Sequence, residues 1–373
     1  MAASLITLGA CNQAGEADPQ PQADIAAQTG DGTASGATSE QSAQQAPAEP
    51  PEATAPRPPE TEAEKRLHQT LQRLGEGFEG EIGLAVLDHE TGWAAHYEGL
   101  RYLPQQSVSK LWVAITVLDQ VDRRELDLSE EVTLEKEDLT VFYQPIRTLI
   151  LRYDGYTTTL GDLLERAITH SDNTANDFLL RRAGGPEAVR RMFARKELGG
   201  IRFGPGEQEL QSEIAGLQWK DEYAIGPAFI NARGELPAEK RRNAFEDYLE
   251  DPVDGAMAIG IARALGKLEN GQLLSRSSTE RLLRLMDQST TGERRLTGGL
   301  PAGWSIAHKT GTGQILEGVQ AGYNDVGLLD APGGDTYSVA VLIGRTDRPR
   351  AQRRRLMHDT VEALAVYHRN SKP

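Results

Sequence analysis

The sequence predicts an α+β protein of the broad α/β class, with an antiparallel sheet flanked by helices and an inserted all-helical lobe. Strand-like segments occur at about residues 81–97 and again after residue 304. The sequence between them is mostly helical, and we find no internal repeat. We therefore expect one sheet built from both ends of the chain, with the helical lobe inserted between its strands.

The first eleven residues resemble the end of a bacterial lipoprotein signal peptide. A short apolar run, Leu5–Leu8, is followed by Gly9, Ala10 and Cys11, as in a lipobox whose cysteine is lipidated after cleavage. A normal signal peptide carries positive charge before its apolar core, and this one carries none. We interpret residues 1–11 as a signal remnant with a lipidation site at Cys11. The alternative is a chance cysteine in a disordered tail.

Residues 12–60 predict a disordered linker. They contain no aromatic residue and are rich in Ala, Gln, Pro, Glu, Gly, Ser and Thr, so they cannot bury enough apolar surface to fold. Behind a lipidated Cys11, this linker would hold a folded domain, residues 61–373, clear of a membrane. The predicted location is the periplasmic face of a bacterial membrane, and the lipid anchor is the only membrane contact that we expect.

The composition excludes several kinds of function. The 373 residues carry a net charge of −15, whereas non-specific nucleic-acid binding needs a basic surface. Cys11 is the only cysteine, so the folded domain has no disulfide and no thiolate metal site. The seven histidines show no metal-binding spacing, and no stretch is long enough for a transmembrane helix. We expect no metal, cofactor or nucleic-acid partner, and a monomeric protein.

The first elements of the domain are a helix and a hairpin. Thr61 and Glu64 form a possible capping box before leucines at helical spacing. Two strands are predicted at residues 81–87 and 93–97, joined by a turn. The apolar run 111–118 then predicts a buried helix that begins near Ser107.

The helical lobe follows from capping residues and apolar spacing. Its later helices are predicted from Thr159 and Asp162, from Asn176 to a closing Gly184-Gly185, from Pro186, over residues 254–265, and from a capping box of Ser277 and Glu280. Residues 199–250 are expected to be irregular, because glycine, proline and scattered charge interrupt them.

The end of the chain returns to strands. We predict strands at Trp304–His308, Tyr323–Leu329 and Thr336–Ile343, with a turn at residues 331–334 between the last two. A final amphipathic helix is predicted over Gln352–Tyr367.

Three short motifs, each present once, carry candidate chemistry: Ser107-x-x-Lys110, Ser171-Asp172-Asn173 and Lys309-Thr310-Gly311. A serine and a lysine three residues apart share one helix face, where the amine can take the serine's proton. Each motif alone has an ordinary explanation as a helix N-cap, a polar turn or a solvated strand end. Their order and their places on these elements together favour a serine hydrolase.

This combination resembles the class A β-lactamases, within the penicillin-recognising serine hydrolases, over about residues 61–370. The resemblance implies that Ser107 is the acylated nucleophile and Lys110 its proton partner. Ser171 would relay a proton to the departing nitrogen, and Asn173 would hold the substrate amide and Lys110. The fold that it implies, an α/β lobe and a helical lobe with the site between them, agrees with the order of elements above.

The resemblance also assigns the strand that ends in the third motif. Lys309 and Thr310 would face the substrate carboxylate, and the backbone N–H groups of Thr312 and Ser107 would form the oxyanion hole. Gly311 would let the backbone approach the substrate closely. Arg345, on the last strand, is a candidate for an additional carboxylate ligand.

The motif around the expected deacylating base departs from the family pattern. Glu207, in Glu207-Gln208-Glu209-Leu210-Gln211, lies where the family carries a glutamate that activates water, but Gln211 replaces the usual asparagine. The arginine that usually precedes this glutamate is missing, and Gly204-Pro205-Gly206 stands there instead. Glu207 is equally compatible with an exposed surface carboxylate, and Glu209 and Glu213 are the alternatives.

Three functions are compatible with these motifs. The first is hydrolysis of the β-lactam amide bond through an acyl-enzyme on Ser107, which would give β-lactam antibiotic catabolism and resistance. The second is a peptidase or esterase acting on D-Ala-D-Ala cell-wall peptides or esters. The third is a penicillin-binding module without turnover. All three take a small-molecule β-lactam or a cell-wall peptide as partner.

Overall fold

The structure is a computed structural model that describes residues 54–371, so the predicted lipobox with Cys11 and residues 12–53 of the predicted linker lie outside the described residues. The described chain contains eleven strands: β1 Glu81–Asp88, β2 Ala94–Tyr97, β3 Leu103–Pro104, β4 Glu131–Leu134, β5 Tyr156–Thr159, β6 Gly255–Ala256, β7 Ser305–Thr312, β8 Ile315–Leu316, β9 Val319–Ala321, β10 Tyr323–Asp330 and β11 Thr336–Thr346. Its twelve α-helices are α1 Glu62–Glu76, α2 Lys110–Asp122, α3 Arg147–Tyr153, α4 Leu160–Thr169, α5 Asn173–Arg182, α6 Gly185–Lys196, α7 Glu207–Ile214, α8 Ala228–Glu235, α9 Ala238–Glu250, α10 Ala258–Glu269, α11 Arg276–Asp287 and α12 Arg350–Ser371.

The main sheet joins the two ends of the chain. Its longer strands lie in the order β2-β1-β11-β10-β7, and the short β8–β9 hairpin extends it beside β11. Every pairing is antiparallel, with Leu84 opposite Val341 in the central β1–β11 pair. The predicted α+β class, with a sheet from both termini and an inserted helical lobe, is confirmed.

Alternate residues of β11 separate two apolar cores. Val339, Val341 and Ile343 belong to the cluster that contains residues of α1 and α12, whereas Ala340 and Leu342 belong to the cluster of the helical lobe. This alternation follows from the two-residue period of a strand. The sheet therefore has helices on both faces, as its continuously buried strands require.

Helix α2 lies at the centre of the helical lobe. Every residue of the predicted apolar run 111–118 is buried, so the prediction of a helix buried on all sides is confirmed. Trp112 packs edge-to-face against Phe193 of α6, with ring centroids 5.9 Å apart. The Nε1 group of Trp112 donates to Gln105 Oε1 (2.6 Å), so this buried indole has its hydrogen-bond partner.

The prediction that residues 199–250 are irregular was wrong, because α7, α8 and α9 all lie within them. Helix α9 buries Phe245, Tyr248 and Leu249, whose i, i+3, i+4 spacing is the signal of an amphipathic helix. Glycine and proline in this stretch separate short helices instead of preventing them.

Two predicted helix starts were also wrong. The N-cap of α11 is Ser275, whose hydroxyl accepts from Ser278 N, and not Ser277. Helix α5 begins at Asn173 with Asp172 as its N-cap, three residues before the predicted start at Asn176. In both cases a neighbouring residue that also favours N-cap positions took the role.

The described chain begins in contact with the domain. Arg57 pairs with Glu64 of α1 (2.7 Å) and its carbonyl accepts from Trp93 Nε1 (3.3 Å). The capping box of Thr61 and Glu64 is present as predicted. Among residues 54–371, no helix is both long and apolar enough to cross a bilayer.

Candidate active site

Ser107 and Lys110 lie where the sheet meets the helical lobe. Ser107 is in a 3-10 turn, Gln106–Ser109, that leads directly into α2. Lys110 is the first residue of α2 and is fully buried. Its Nζ donates to Ser107 Oγ (2.9 Å), so the predicted pairing of amine and hydroxyl is present.

The turn at Ser107 is held by hydrogen bonds to two residues that are distant in the sequence. Gln106 has a left-handed backbone (φ +54°), and its N–H donates to the buried carboxylate of Asp254 (2.8 Å). Asn324 Nδ2 of β10 donates to Pro104 O (2.7 Å), immediately before this turn. Because such a backbone is costly outside glycine, these fixed partners are needed to keep the serine in place.

The second motif lies at the junction of α4 and α5. Ser171 has a left-handed backbone (φ +58°), and its hydroxyl accepts from Lys309 Nζ (2.8 Å). Asp172 caps α5 by accepting from Ala175 N (3.0 Å) and also accepts from Ile146 N (2.7 Å). Its role is therefore to shape the corner that presents Ser171 and Asn173.

Asn173 lies in the site, but its side chain does not contact Lys110 as expected. Its Nδ2 donates to Val141 O (2.9 Å). In the described part of the chain, Lys110 donates to Ser107 and to Glu207 and not to Asn173. The predicted contact between Asn173 and Lys110 is therefore not formed in this structure, where the Asn173 amide instead binds the backbone at Val141.

The third motif forms one wall of the site on β7. Lys309 is fully buried and also donates to Thr310 O (3.0 Å). Burial lowers the pKa of Lys309 well below its ordinary value, and the charge of Lys110 lowers it further. The Thr310 hydroxyl is hydrogen-bonded to Thr291 (2.7 Å).

Gly311 is required where β7 passes the nucleophile's turn. A Cβ at this position would lie 2.2 Å from Gln105 O and about as close as contact allows to Val108. Only glycine permits this approach. The glycine therefore brings Thr312 and Ser107 to the same pocket.

Glu207 lies inside the site and is not an exposed carboxylate. It is the first residue of α7, is 5% exposed, and forms an ion pair with Lys110. Gln211, one turn later, donates from Nε2 to Glu207 Oε2 (3.1 Å). The alternatives Glu209 and Glu213 are exposed on the same helix, so Glu207 is the carboxylate that faces Lys110.

Asp177 of α5 fixes the start of α7. Its carboxylate accepts from Glu207 N (2.9 Å) and from Gln208 N (3.2 Å), and it is fully buried. Burial, and then the charge of Glu207, raises the pKa of Asp177 to about 6. This carboxylate caps the helix that carries Glu207, because the first N–H groups of a helix have no partner within it.

The arginine that usually holds the segment around Glu207 in this family is absent, and Tyr248 and Asp254, later in the chain, form the buried contacts there. The Tyr248 hydroxyl of α9 donates to Asp254 Oδ1 (2.9 Å) and accepts from Gln106 Nε2 (2.6 Å). Burial raises the pKa of Asp254 to about 6. Arg202 instead pairs with Asp251 at the surface (2.5 Å).

Arg345 does not reach the site. Its guanidinium forms a bidentate pair with Glu246 of α9 (2.5 and 2.9 Å). The pocket contains a different arginine, Arg295, from the segment between α11 and β7. Arg295 donates to Thr312 Oγ1 (2.5 Å) and to Gly311 O (3.0 Å). The prediction that Arg345 reaches the site was therefore wrong, and Arg295 lies beside Thr312 instead.

These groups line one cavity of about 460 Å³. Its polar lining includes Ser107, Ser171, Asn173, Glu207, Gln211, Arg295, Thr310 and Thr312, together with Arg147, Thr291 and Gln314. Its apolar lining includes Val141, Phe142, Tyr223, Pro227, Phe229 and Ile230. Among residues 54–371, no group of three or more His, Cys, Asp or Glu side chains is placed to hold a metal ion. The cavity thus combines a hydroxyl nucleophile and a buried carboxylate, and two buried lysines donate to the serines in its wall.

The comparison with known families agrees with this geometry. The family model of the β-lactamase enzyme family matches residues 66–365, which is most of the chain and contains every group described above. The chain belongs to the β-lactamase enzyme family. The predicted resemblance is confirmed.

Individual β-lactamases are similar over most of their length. Beta-lactamase VEB-1 of Pseudomonas aeruginosa is 24% identical over 290 residues, which is 78% of this chain and 86% of that protein. Extended-spectrum beta-lactamase PER-1 of the same species is 28% identical over 282 residues, or 74% and 79% of the two chains.

Solved structures extend the similarity to the fold of class A. The ancestral GNCA class A β-lactamase has a TM-score of 0.63 at 28% identity and covers 80% of this chain and 98% of its own. The TLA-1 extended-spectrum β-lactamase has a TM-score of 0.68 at 22% identity, with coverage of 82% and 98%. This enzyme therefore has the class A fold.

Sequence reasoning missed three residues of the β-lactamase site. Asp177 had a signal, because it follows Asn173 by four residues and so lies on the same face of α5. Arg295 and Asp254 had none, since each lies outside the motifs and reaches the site only through the tertiary fold.

Proposed function

We propose that this β-lactamase-family enzyme opens the β-lactam amide bond through an acyl-enzyme on Ser107 and then hydrolyses that ester. The observation that carries the proposal is the placement of Lys110 between Ser107 Oγ and the Glu207 carboxylate in a buried site. The family name and the names of its relatives support the same substrate class.

Acylation begins with loss of the Ser107 hydroxyl proton. Lys110 transfers a proton to Glu207, and its neutral amine then takes the proton of Ser107 Oγ as that oxygen attacks the lactam carbonyl carbon. The backbone N–H groups of Ser107 and Thr312 stabilise the tetrahedral oxyanion. Removal of one such donor typically raises the barrier by roughly 3 kcal/mol.

The ring C–N bond then breaks, and the departing nitrogen needs a proton. Ser171 supplies it from its hydroxyl and is reprotonated by Lys309 Nζ, which already donates to it. The lowered pKa of Lys309 favours this transfer. One proton is thus removed from Ser107 Oγ and one proton is added to the departing nitrogen.

The polar groups beyond Lys309 bind the substrate carboxylate. Thr310 and Thr312 offer hydroxyls, and the guanidinium of Arg295 adds a fixed charge beside them. A carboxylate held here orients the bicyclic nucleus, so that its lactam carbonyl meets Ser107.

Deacylation requires a water molecule and a base. After acylation Glu207 carries the proton that it took from Lys110 and Lys309 is neutral, so a proton first passes through solvent from Glu207 to Lys309. Glu207, oriented by Gln211 and held by Asp177, then removes a proton from water as that water attacks the ester carbonyl of acylated Ser107. The ester C–O bond breaks, the Ser107 oxygen regains its proton, and the product is the open penicilloate-type acid.

Intact-protein mass spectrometry after mixing with benzylpenicillin tests this assignment. The wild type should clear its adduct within the time of mixing, and Ser107→Ala should form none. Glu207→Gln should acylate more slowly, because Lys110 must then lose its proton to solvent, and should accumulate one acyl adduct that it cannot clear. The matched control is Glu209→Gln, because Glu209 is exposed on the same helix. Equal clearance by Glu207→Gln and the wild type would contradict the role of Glu207.

The same measurement, together with an assay of D-Ala-D-Ala peptide cleavage, separates the other two functions. A wild type that keeps its adduct is a penicillin-binding module, and one that cleaves D-Ala-D-Ala peptides but barely turns over penicillin is a peptidase. The buried carboxylate beside Lys110 favours turnover over both, because it provides a base for the attacking water.

We further propose that Cys11 anchors the enzyme by a lipid at the periplasmic face of a bacterial membrane, where hydrolysis would confer β-lactam resistance. The apolar run before Cys11 and the polar residues after it support this location. Expression of the full chain in a bacterium should place it in the membrane fraction, and Cys11→Ser should release it. Equal partitioning of the two proteins would contradict the anchor.

A further inference from the structure

Three glutamines, each at most 5% exposed, connect the turn that carries Ser107, helix α7 and the end of β7. Gln106 lies in that turn, Gln211 in α7, and Gln314 between β7 and β8. Gln211 Nε2 donates to Gln106 Oε1 (3.1 Å) and to Glu207 Oε2 (3.1 Å). Gln314 Nε2 donates to Gln211 O (2.8 Å) and to Gln211 Oε1 (3.0 Å). The amide of Gln211 is therefore hydrogen-bonded through both its nitrogen and its oxygen.

The contact with Gln314 determines which way the Gln211 amide faces. A side-chain amide can turn by 180° with little change in shape, so its direction follows from its hydrogen-bond partners. The backbone oxygen of Gln211 can only accept, so the Gln314 atom beside it must be the donor Nε2. The same nitrogen also reaches the side-chain oxygen of Gln211, which leaves Nε2 of Gln211 directed at Glu207.

The other end of this network requires the same direction. The carboxylate of Asp254 accepts the only proton of the Tyr248 hydroxyl (2.9 Å), so that hydroxyl accepts from Gln106 Nε2 (2.6 Å). Gln106 then presents Oε1 to Gln211, and only an N–H group of Gln211 can bind it. The Gln106 contact thus supports the direction that Gln314 imposes.

The direction of the Gln211 amide matters because Glu207 needs a donor at Oε2. Its other oxygen, Oε1, is paired with Lys110. A reversed Gln211 amide would place its carbonyl oxygen against the carboxylate, and the two acceptors would repel each other. Glu207 would then leave the position from which it removes a proton from the attacking water.

We propose that Gln314 is a positioning residue for deacylation, because it fixes the Gln211 amide with its N–H group toward Glu207. This inference rests on the proposed function and concerns its second step. Among residues 54–371, Gln314 makes the only hydrogen bond to Gln211 Oε1, so its loss lets this amide move. Acylation depends on it much less, because Lys110 donates to Glu207 Oε1, whereas Gln211 binds Oε2.

The test removes the donor of Gln314 and keeps the size of its side chain. Gln314→Met retains an unbranched side chain of similar length. It removes only the two side-chain bonds to Gln211, because Gln314 Oε1 has no hydrogen-bond partner in the described part of the chain. Gln314→Asn is a second variant, which keeps an amide but on an arm too short to reach Gln211.

The matched control is Gln320→Met, on the neighbouring strand β9. Gln320 is as buried as Gln314 and donates to Gly313 O (3.0 Å), but it does not line the cavity. A double-mutant cycle adds Gln314→Met to Gln211→Ala. Because Gln314 acts through the Gln211 amide, its substitution should have no further effect once that amide is gone.

Rapid mixing with benzylpenicillin and quenching, followed by intact-protein mass spectrometry, gives the rates at which each variant gains and loses its acyl adduct. Gln314→Met should lose the adduct about tenfold more slowly than the wild type, the effect of about one hydrogen bond. It should gain the adduct at nearly the wild-type rate. Gln314→Asn should slow the same step, and Gln320→Met should change neither rate.

Three outcomes would overturn the role of Gln314 and leave the hydrolase. They are an unchanged rate of adduct loss in both Gln314 variants, an equal fall of the two rates, and a further slowing when Gln314→Met is added to Gln211→Ala. A wild type that forms no adduct, or that never loses it, would overturn the proposed function as well.

Discussion

The buried carboxylate of Asp177 makes the stability of this enzyme depend on pH. Its pKa is about 6 in the folded protein and 3.8 when unperturbed. The folded state thus binds this proton more tightly than the unfolded state does. Above both pKa values, the ionised group lowers the free energy of unfolding by about 3 kcal/mol, since each pKa unit corresponds to about 1.4 kcal/mol.

Asp177→Asn removes this penalty and part of the helix cap. One amide oxygen replaces two carboxylate oxygens, so one of the bonds to Glu207 N and Gln208 N is lost, at a cost of about 1 kcal/mol. At pH 8 the variant should therefore be more stable than the wild type by about 2 kcal/mol. At pH 5 the wild type is mostly protonated, and the advantage should fall by about 1.4 kcal/mol.

Urea unfolding at pH 5, 6, 7 and 8 measures both differences as changes in midpoint at constant slope. The control is Asp251→Asn, because Asp251 is exposed on the surface and its substitution should give no such trend. The reasoning is refuted if the difference between Asp177→Asn and the wild type is independent of pH, or if it grows as the pH falls.

Two further substitutions test the geometry of the site. Gly311→Ala places a Cβ against Gln105 O and should destabilise the fold by about 3 kcal/mol or more. The control Gly234→Ala, in open space on α8, should stabilise the fold by about 0.5 kcal/mol. Thermal unfolding measures both changes, and equal effects would contradict the close approach of Gly311 to Gln105. Arg295→Lys should raise KM for benzylpenicillin about tenfold, because an ammonium cannot reproduce the fork of a guanidinium. Arg345→Lys is the control and should leave KM unchanged. Steady-state kinetics in which only Arg345→Lys raises KM would show that Arg345, and not Arg295, binds the substrate.

The motifs were predictable because each lies on a strongly patterned element. Ser107 and Lys110 precede a continuous apolar run, and Lys309 ends a short strand-like segment. Local sequence therefore determined the structure of these elements. Within the first motif, the predicted contact of Lys110 with Ser107 was confirmed.

The remaining contacts depend on residues that the fold brings together. Arg345 was expected near the substrate carboxylate because it lies on the last strand, but Glu246 of α9 holds it elsewhere. The helix that carries Glu246 was itself missed, since Pro237 and Pro252 stand close to its two ends and the stretch before it contains glycine. Arg295 occupies the cavity from a loop without a motif, so only tertiary packing could reveal it.

The support of Ser107 comes from the part of the chain that is synthesised last. Asn324 holds the carbonyls of Pro104 and Gln105, 220 and 219 residues earlier in the sequence, and Gly311 packs against the same turn. A nascent chain that ends before β10 already contains the whole Ser107-x-x-Lys110 motif but lacks the strands that hold it in place. Pairing of β1 with β11 is similarly distant, and such non-local contacts form late and slowly. The turn that carries the nucleophile therefore gains these contacts only when synthesis of the domain is nearly complete.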